Sequence, residues 1–169
     1  MRCLLLISAA LLLSIAGGCS SNECLDNQNS LPIASFWSAD ATPRQIALDS
    51  LSIVAVGAPG DPVLTDSAQT TISEIFLPFD IDKPQTSFRF VYEQKELKDA
   101  DISDVITFHY DAEPHFASVA CGAVIYYKIK EITHTSNLID SVTCPAGVIT
   151  NKPGANINIY FRVTTEEGQ

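Results

Sequence analysis

Short runs in which apolar and polar residues change place at every step constrain this chain more than any other feature. A side-chain period of two belongs to a β-strand with one dry face; a helix would need apolar residues three and four apart. In Ser87–Tyr92, Phe88, Phe90 and Tyr92 share one face, with Ser87 and Arg89 opposite. In Val105–Tyr110, Ile106, Phe108 and Tyr110 alternate with Thr107 and His109. In Asn156–Val163, Ile157, Ile159, Phe161 and Val163 alternate with Asn158, Tyr160 and Arg162. Leu48–Val56 and Ile72–Phe79 are less regular apolar runs and predict more fully buried strands. Leu31–Trp37 and Leu138–Thr143 carry a weaker signal. Ala123–Thr133 opens with Ile125, Tyr127 and Ile129 on one face, and then the phase slips. Glu131 takes the next inward slot and Ile132 is apolar, which predicts a β-bulge near Lys130.

Turn chemistry separates these runs. Gly57-Ala58-Pro59-Gly60-Asp61-Pro62 cannot continue a ladder. Asp80–Pro84, Asp111-Ala112-Glu113-Pro114 and Asn151-Lys152-Pro153-Gly154 are likewise read as turns. Glu93–Asp101 alone has a helical composition, and it is too polar to pack. Eight or nine short strands at this spacing predict an all-β fold. The expected architecture is a single antiparallel β-sandwich, immunoglobulin-like in general outline, over residues 31–164, followed by a polar tail at 165–169. A chain of 169 residues, 46% hydrophobic and 18% charged, is large and apolar enough for one such core. The polar face of Asn156–Val163 makes that strand a candidate sheet edge, weighed against an internal position.

The amino terminus carries a second signal. Met1-Arg2 is a minimal positive start, and Cys3 to Gly18 is an unbroken run of apolar and small residues, too short to span a bilayer as a helix. It reads as a signal peptide over residues 1–18. Ile15-Ala16-Gly17-Gly18-Cys19 resembles a bacterial lipobox, with Ala16 where Leu is usual. That resemblance implies lipidation of Cys19, cleavage before it, and a lipidated tether over 19–30; the alternative is an ordinary secretory signal. Several acyl chains hold a protein firmly to a membrane, where one holds it marginally.

Ten Lys and Arg stand against twenty Asp and Glu, a net charge of −10. Loss of Arg2 with the signal leaves nine against twenty, near −11. Such a chain lacks the basic face that phosphate contacts need, so no nucleic-acid partner is expected. The lipid, and not a basic patch, is expected to hold it to the membrane. No nucleophile elbow, Walker A loop or dinucleotide fingerprint is found. The chain is therefore expected not to be an enzyme, with no catalytic residues, no cofactor and no small-molecule substrate identified. The acids Asp99, Asp101 and Asp104 lack the central Gly and closing Glu of a calcium loop and are read as a solvated loop. His109, Asp111, Glu113 and His115 lie close together but are read as a strand end and turn, broken by Pro114, with no metal. His134 is read as an exposed or hydrogen-bonded strand residue.

Once Cys3 leaves and Cys19 takes lipid, Cys24, Cys121 and Cys144 remain. Their destination permits a disulfide, and three thiols allow three pairings, among which the residues alone do not choose.

The stretches Asp104–Tyr110, Pro114-His115-Phe116, Ala120-Cys121-Gly122, Thr133-His134-Thr135, Leu138–Val142 and Asn156–Phe161 together resemble an uncharacterised family of Bacteroidetes lipoproteins that carry a domain of unknown function. Ser20-Ser21-Asn22-Glu23 and Asp26 are similar to a diluted form of the surface-export signals of such lipoproteins. The family likeness implies a Cys24–Cys121 disulfide with Cys144 free, and assigns no catalytic residues. The expected function is that of a non-catalytic binding or assembly module. It would be lipid-anchored in the outer membrane, facing the periplasm or the cell surface, beside an envelope protein partner. The alternative is a solute- or glycan-binding surface lipoprotein. Trp37 is the only tryptophan, and most Phe and Tyr alternate into inner faces, which counts against that alternative.

Overall fold

The computed structural model describes residues 30–65, 71–94, 97, 101–118 and 122–162. Ten strands are present among them. In chain order they are β1 (Ile33–Ser38), β2 (Leu51–Val56), β3 (Val63–Thr65), β4 (Glu74–Phe76), β5 (Gln85–Tyr92), β6 (Ser103–Ser118), β7 (Gly122–His134), β8 (Ile139–Thr143), β9 (Val148–Ile149) and β10 (Ile157–Phe161). They form a four-stranded sheet in the order β4-β1-β10-β8 and a six-stranded sheet in the order β3-β2-β5-β6-β7-β9. The two sheets pack face to face, the sandwich that period-two alternation predicts. The short strands β3 and β9 carry no alternation of their own, and both are edges.

Each predicted dry face is inward. Phe88, Phe90, Ile106, Phe108, Ile157 and Ile159 are fully buried, and Tyr92, Tyr110 and Phe161 nearly so. Burial of one such side chain is worth about 1.5–3 kcal/mol. Aromatic rings knit the layers: Tyr92 of the large sheet meets Phe161 of the small one edge-on at 6.5 Å. Phe79, between β4 and β5, stacks on Tyr110 at 4.7 Å.

The bulge is where the phase slip places it. His109 lies opposite Glu131 but Tyr110 lies opposite Ile129, so Lys130 is the extra residue on β7. Ile129 and Ile132 are both thereby packed against the core.

Two expectations are corrected and one open alternative is decided. The segment 111–114 is not a turn, because β6 runs on through Pro114 to Ser118. The Tyr110 amide donates to the Pro84 carbonyl, ahead of β5. Positions 112 and 114 aim their nitrogens to the same side, where no described strand continues, so proline forfeits no ladder bond. Second, of the two positions weighed for the Asn156–Val163 strand, the internal one is found. It pairs in parallel with β1 and antiparallel with β8, and Asn156 uses both side-chain atoms on the start of β1. This parallel pair is the sandwich's departure from antiparallel pairing. Third, Asp104 is not in a solvated loop, as described below. The stretch Glu93–Asp101 lies largely outside the described residues.

Candidate functional site

Strand register gives the sandwich two distinguishable ends. At one end stand the first residues of β2, β6 and β8 and the last of β1, β5, β7 and β10. Asp104 closes this end. Its side chain is fully buried. Its Oδ2 accepts from the Tyr92 hydroxyl at 2.8 Å and from the amides of Leu138 and Ile139 at 2.8 and 3.0 Å. Its Oδ1 accepts from the Thr135 hydroxyl at 2.6 Å and the Asn137 amide at 2.8 Å. Burial pushes this carboxyl's pKa up, but the Thr135 hydroxyl and the three amides outweigh it and hold it below the usual carboxylate range. Burial, with the adjacent carboxylate, pushes the Tyr92 hydroxyl far up. Both oxygens are occupied by the protein itself, so this carboxylate staples the β7–β8 connection to β5 and β6 and is not free to bind a ligand.

The other end is built differently. The β6–β7 hairpin outruns both of its neighbours. β5 begins at Gln85, opposite His109, and β9 ends at Ile149, opposite Tyr127. The remainder, 111–118 and 122–126, projects as a two-stranded arm. Because β6 is continuous, Tyr110, Ala112, Pro114 and Phe116 lie on one face, opposite Ile129, Tyr127, Ile125 and Ala123. This is the core face carried past its cover, and Phe116 is 73% exposed. On the other face His115 stacks on Tyr126 at 4.3 Å and lies 4.0 Å from Glu113, while Asp111 pairs with Lys130 at 2.6 Å. His109, Asp111, Glu113 and His115 thus share a strand face without converging. Among the described residues no three of His, Cys, Asp and Glu come together to hold a metal.

Beside the base of the arm is an open cleft of about 470 Å³, with Val56, Gly57, Pro62, Phe79, Asp80 and Thr86 in its lining. The Tyr110 hydroxyl lies 2.6 Å from Thr86 Oγ1 and donates to the Asp80 carbonyl at 2.7 Å. Lys83 Nζ donates to the Gly57 carbonyl at 3.3 Å and pairs with Asp80 at 3.0 Å. Lys83 and the Asp82 amide hold the Asp80 carboxyl below its ordinary pKa.

Among the described residues the exposed large hydrophobic ones are Val63, Phe76, Ile81 and Phe116, at 58, 48, 50 and 73%. Register places all four toward this same end. Phe76 sits opposite Ile33 at the start of β1, Val63 follows the β2–β3 turn, and Ile81 lies in the β4–β5 connection. Here also the described chain begins: Ser30 Oγ donates to the carbonyls of Ile125 and Ile149, the latter at 3.2 Å.

A model of a family of unknown function, DUF6452, matches residues 50–161. The chain belongs to that family. The DUF6452 match spans every strand except β1 and includes the whole arm, the cleft and Asp104. No curated protein and no solved structure matches the chain. DUF6452 membership bears out the expected uncharacterised domain and assigns it no chemistry.

Of the residues singled out in the sequence, Cys19, Cys24 and Cys121 lie outside the described residues. Cys144 is a free, half-buried thiol packed against the core, and burial pushes its pKa up, away from reactivity. His134 is a strand residue with Nδ1 2.8 Å from the Thr135 carbonyl. Sequence reasoning missed Asp104 because its acidic neighbours Asp99 and Asp101 drew it into a loop. The inward phase of Ile106, Phe108 and Tyr110, extended back one step, points Asp104 into the core. It missed the arm because Pro114 is a turn signal wherever a strand has two partners.

Proposed function

We propose that this chain is a lipid-anchored protein of the cell envelope and acts as a non-catalytic binding or assembly module beside an outer-membrane protein complex. One observation carries the reading: the four exposed large hydrophobic residues among those described gather at the end of the sandwich where Ser30 lies. Apolar side chains that folding leaves uncovered at one end offer a surface to a partner. An anchor at Cys19 holds that surface beside integral proteins at high effective concentration. The lipobox resemblance at Cys19 supports the anchor. A net charge of −10 favours a partner that offers basic or polar loops around an apolar contact. A Cys24–Cys121 disulfide fits the same end. Gly122, the neighbour of Cys121, and Ser30, six residues after Cys24, both belong to the arm and its base.

The cleft favours a second reading, a solute- or glycan-binding lipoprotein, because Phe79 and the Asp80–Lys83 pair face one concavity. In-cell crosslinking from a photoreactive residue at position 81 separates the two. The expected result is a stoichiometric adduct with one outer-membrane protein, lost in Cys19→Ser together with palmitate labelling. Recovery of free monomer alone, with tight glycan binding by the purified protein, replaces the first reading with the second. Undiminished palmitate labelling of Cys19→Ser removes the anchor.

A further inference from the structure

The β6 edge of the arm is an unfinished ladder. The Tyr110 amide reaches away from β7, to the Pro84 carbonyl, and β5 begins only at Gln85. No register shift interrupts β6 between Tyr110 and Phe116, so Ala112, Pro114 and Phe116 turn their backbone groups to that same side. No described strand pairs with them there. The edge therefore offers the amides of Ala112 and Phe116 and the carbonyls of Ala112, Pro114 and Phe116; Pro114 has no amide to give. The β7 edge of the arm differs, because there the Ile125 carbonyl accepts the Ser30 hydroxyl.

The side chains along this edge complement themselves about Pro114. When two copies of the edge meet antiparallel with Pro114 opposite Pro114, residue 113 faces residue 115 of the other copy and residue 112 faces residue 116. Glu113 then opposes His115 twice, acid against base, at the close positions where cross-strand Cα atoms are about 4.5 Å apart. Within one chain these two side chains are 4.0 Å apart and stand half in water. The stack on Tyr126 holds the His115 ring in place. On the other face the exposed Phe116 lies opposite the small Ala112, also twice. Moving the axis by one residue sets Glu113 against Glu113, or His115 against His115, and like charges opposite each other are unfavourable.

We propose that two copies of this chain associate through the β6 edge at residues 112–116, antiparallel about Pro114, so that one sheet runs through both. The occupant is a second copy because the same patch supplies both halves of the match, the condition for a two-fold interface. Ala112 and Phe116 bond each other across the axis in both directions, amide to carbonyl. At the axis the two prolines face each other without a donor, which interrupts the ladder and keeps the association reversible. Proline is one of the residues that restrain edge strands from indiscriminate pairing, and here the Glu113–His115 match adds the choice of register. The pairing uses only this edge and Phe116, and it leaves Val63, Phe76, Ile81 and the cleft to the envelope partner proposed above.

The test uses the full chain with benzoylphenylalanine in place of Phe116. Irradiation is expected to give a band of twice the chain's mass, in which peptide mapping joins position 116 of one copy to residues 110–114 of the other. Glu113→Lys and His115→Glu are each expected to lower that yield several-fold without moving the thermal unfolding midpoint. Glu113→His combined with His115→Glu is expected to restore it. Pro114→Ala supplies the missing amides at the axis and is expected to raise the yield several-fold. No double-mass band, with Pro114 or with Pro114→Ala, overturns the pairing, whether the reagent survives unreacted or joins a different protein. A band that maps elsewhere, or whose yield ignores the exchange of Glu113 and His115, overturns it as well. The envelope partner is probed from position 81, so either reading can fail alone.

Discussion

The two ends of the sandwich handle polar and apolar groups in opposite ways. At the Asp104 end a charge is buried, and five donors, two hydroxyls and three amides, meet its two oxygens. At the arm end, ion pairs such as Asp80–Lys83 and Asp111–Lys130 stand about half in water, and the unusual feature is uncovered hydrophobic surface. A buried, fully bonded carboxylate ties strands together and leaves nothing to offer a partner. Exposed ion pairs contribute about 0–1 kcal/mol each, so the arm end gains little rigidity from them. The comparison teaches that buried polar bonding and uncovered apolar surface are assigned to different ends, which makes them separable by mutation.

The largest effect is expected at Asp104. Asp104→Ala strands the Tyr92 and Thr135 hydroxyls and three backbone amides, and should destabilise the fold by about 3–5 kcal/mol in urea unfolding. The same carboxylate sets a pH dependence. Its pKa is lowered in the folded state, so its contribution is present above the unfolded value of about 3.9 and is lost as pH falls through the lower folded one. The gap in urea midpoint between wild type and Asp104→Asn should therefore narrow below about pH 4. A gap unchanged down to pH 2 would show that the staple does not act through its charge.

The next largest effect is expected from the proposed Cys24–Cys121 bond. Closing a loop of about 97 residues contributes up to ~4–5 kcal/mol in the chain-entropy model, and commonly about 2–4. Reduction should lower stability by that amount in wild type and leave Cys24→Ser unaffected. Non-reducing peptide maps that recover Cys121–Cys144 or Cys24–Cys144 refute the pairing.

The smallest effect on folding sharpens the contrast. Ile81→Ser removes an exposed side chain that no described contact uses, and should shift stability by no more than about 0.5 kcal/mol. Under the proposed function it should nonetheless reduce recovery of the envelope partner. A loss of stability comparable to that of Asp104→Ala would mean that the arm end is structural after all.

Much of the large sheet was legible because its strands are half-buried and alternate strictly: Phe88, Phe90, Ile106, Phe108 and Tyr110 announce their face. The bulge at Lys130 was legible for the same reason, since an extra residue leaves a visible break in phase. Strand order was not, because alternation gives the face of a strand and not its neighbour, and so β10 passed for a possible edge. The arm end was not legible either. Phe116 alternates in phase with core residues, and only the lengths of β5 and β9 reveal that no described strand covers it. Asp104 was obscured by composition, since an acid beside other acids reads as wet until its donors are known.

The parallel pairing of β1 with β10 has a consequence for the order of assembly. Ser35 and Asn158, 123 positions apart, stand side by side, and β10 fills the gap between β1 and β8. While residues 157–161 are still to be delivered, β1 has only the three-residue β4 as a neighbour and β8 has none in its sheet. Large-sheet hairpins can close locally and early, whereas the small sheet must wait for its central strand and for the closure of a very long loop. A chain delivered amino terminus first, to a membrane or to a folding compartment, would therefore carry two open sheet edges until almost its last described residues arrive. That interval is when such edges pair with the wrong chain, and when a holding chaperone would matter most to this fold.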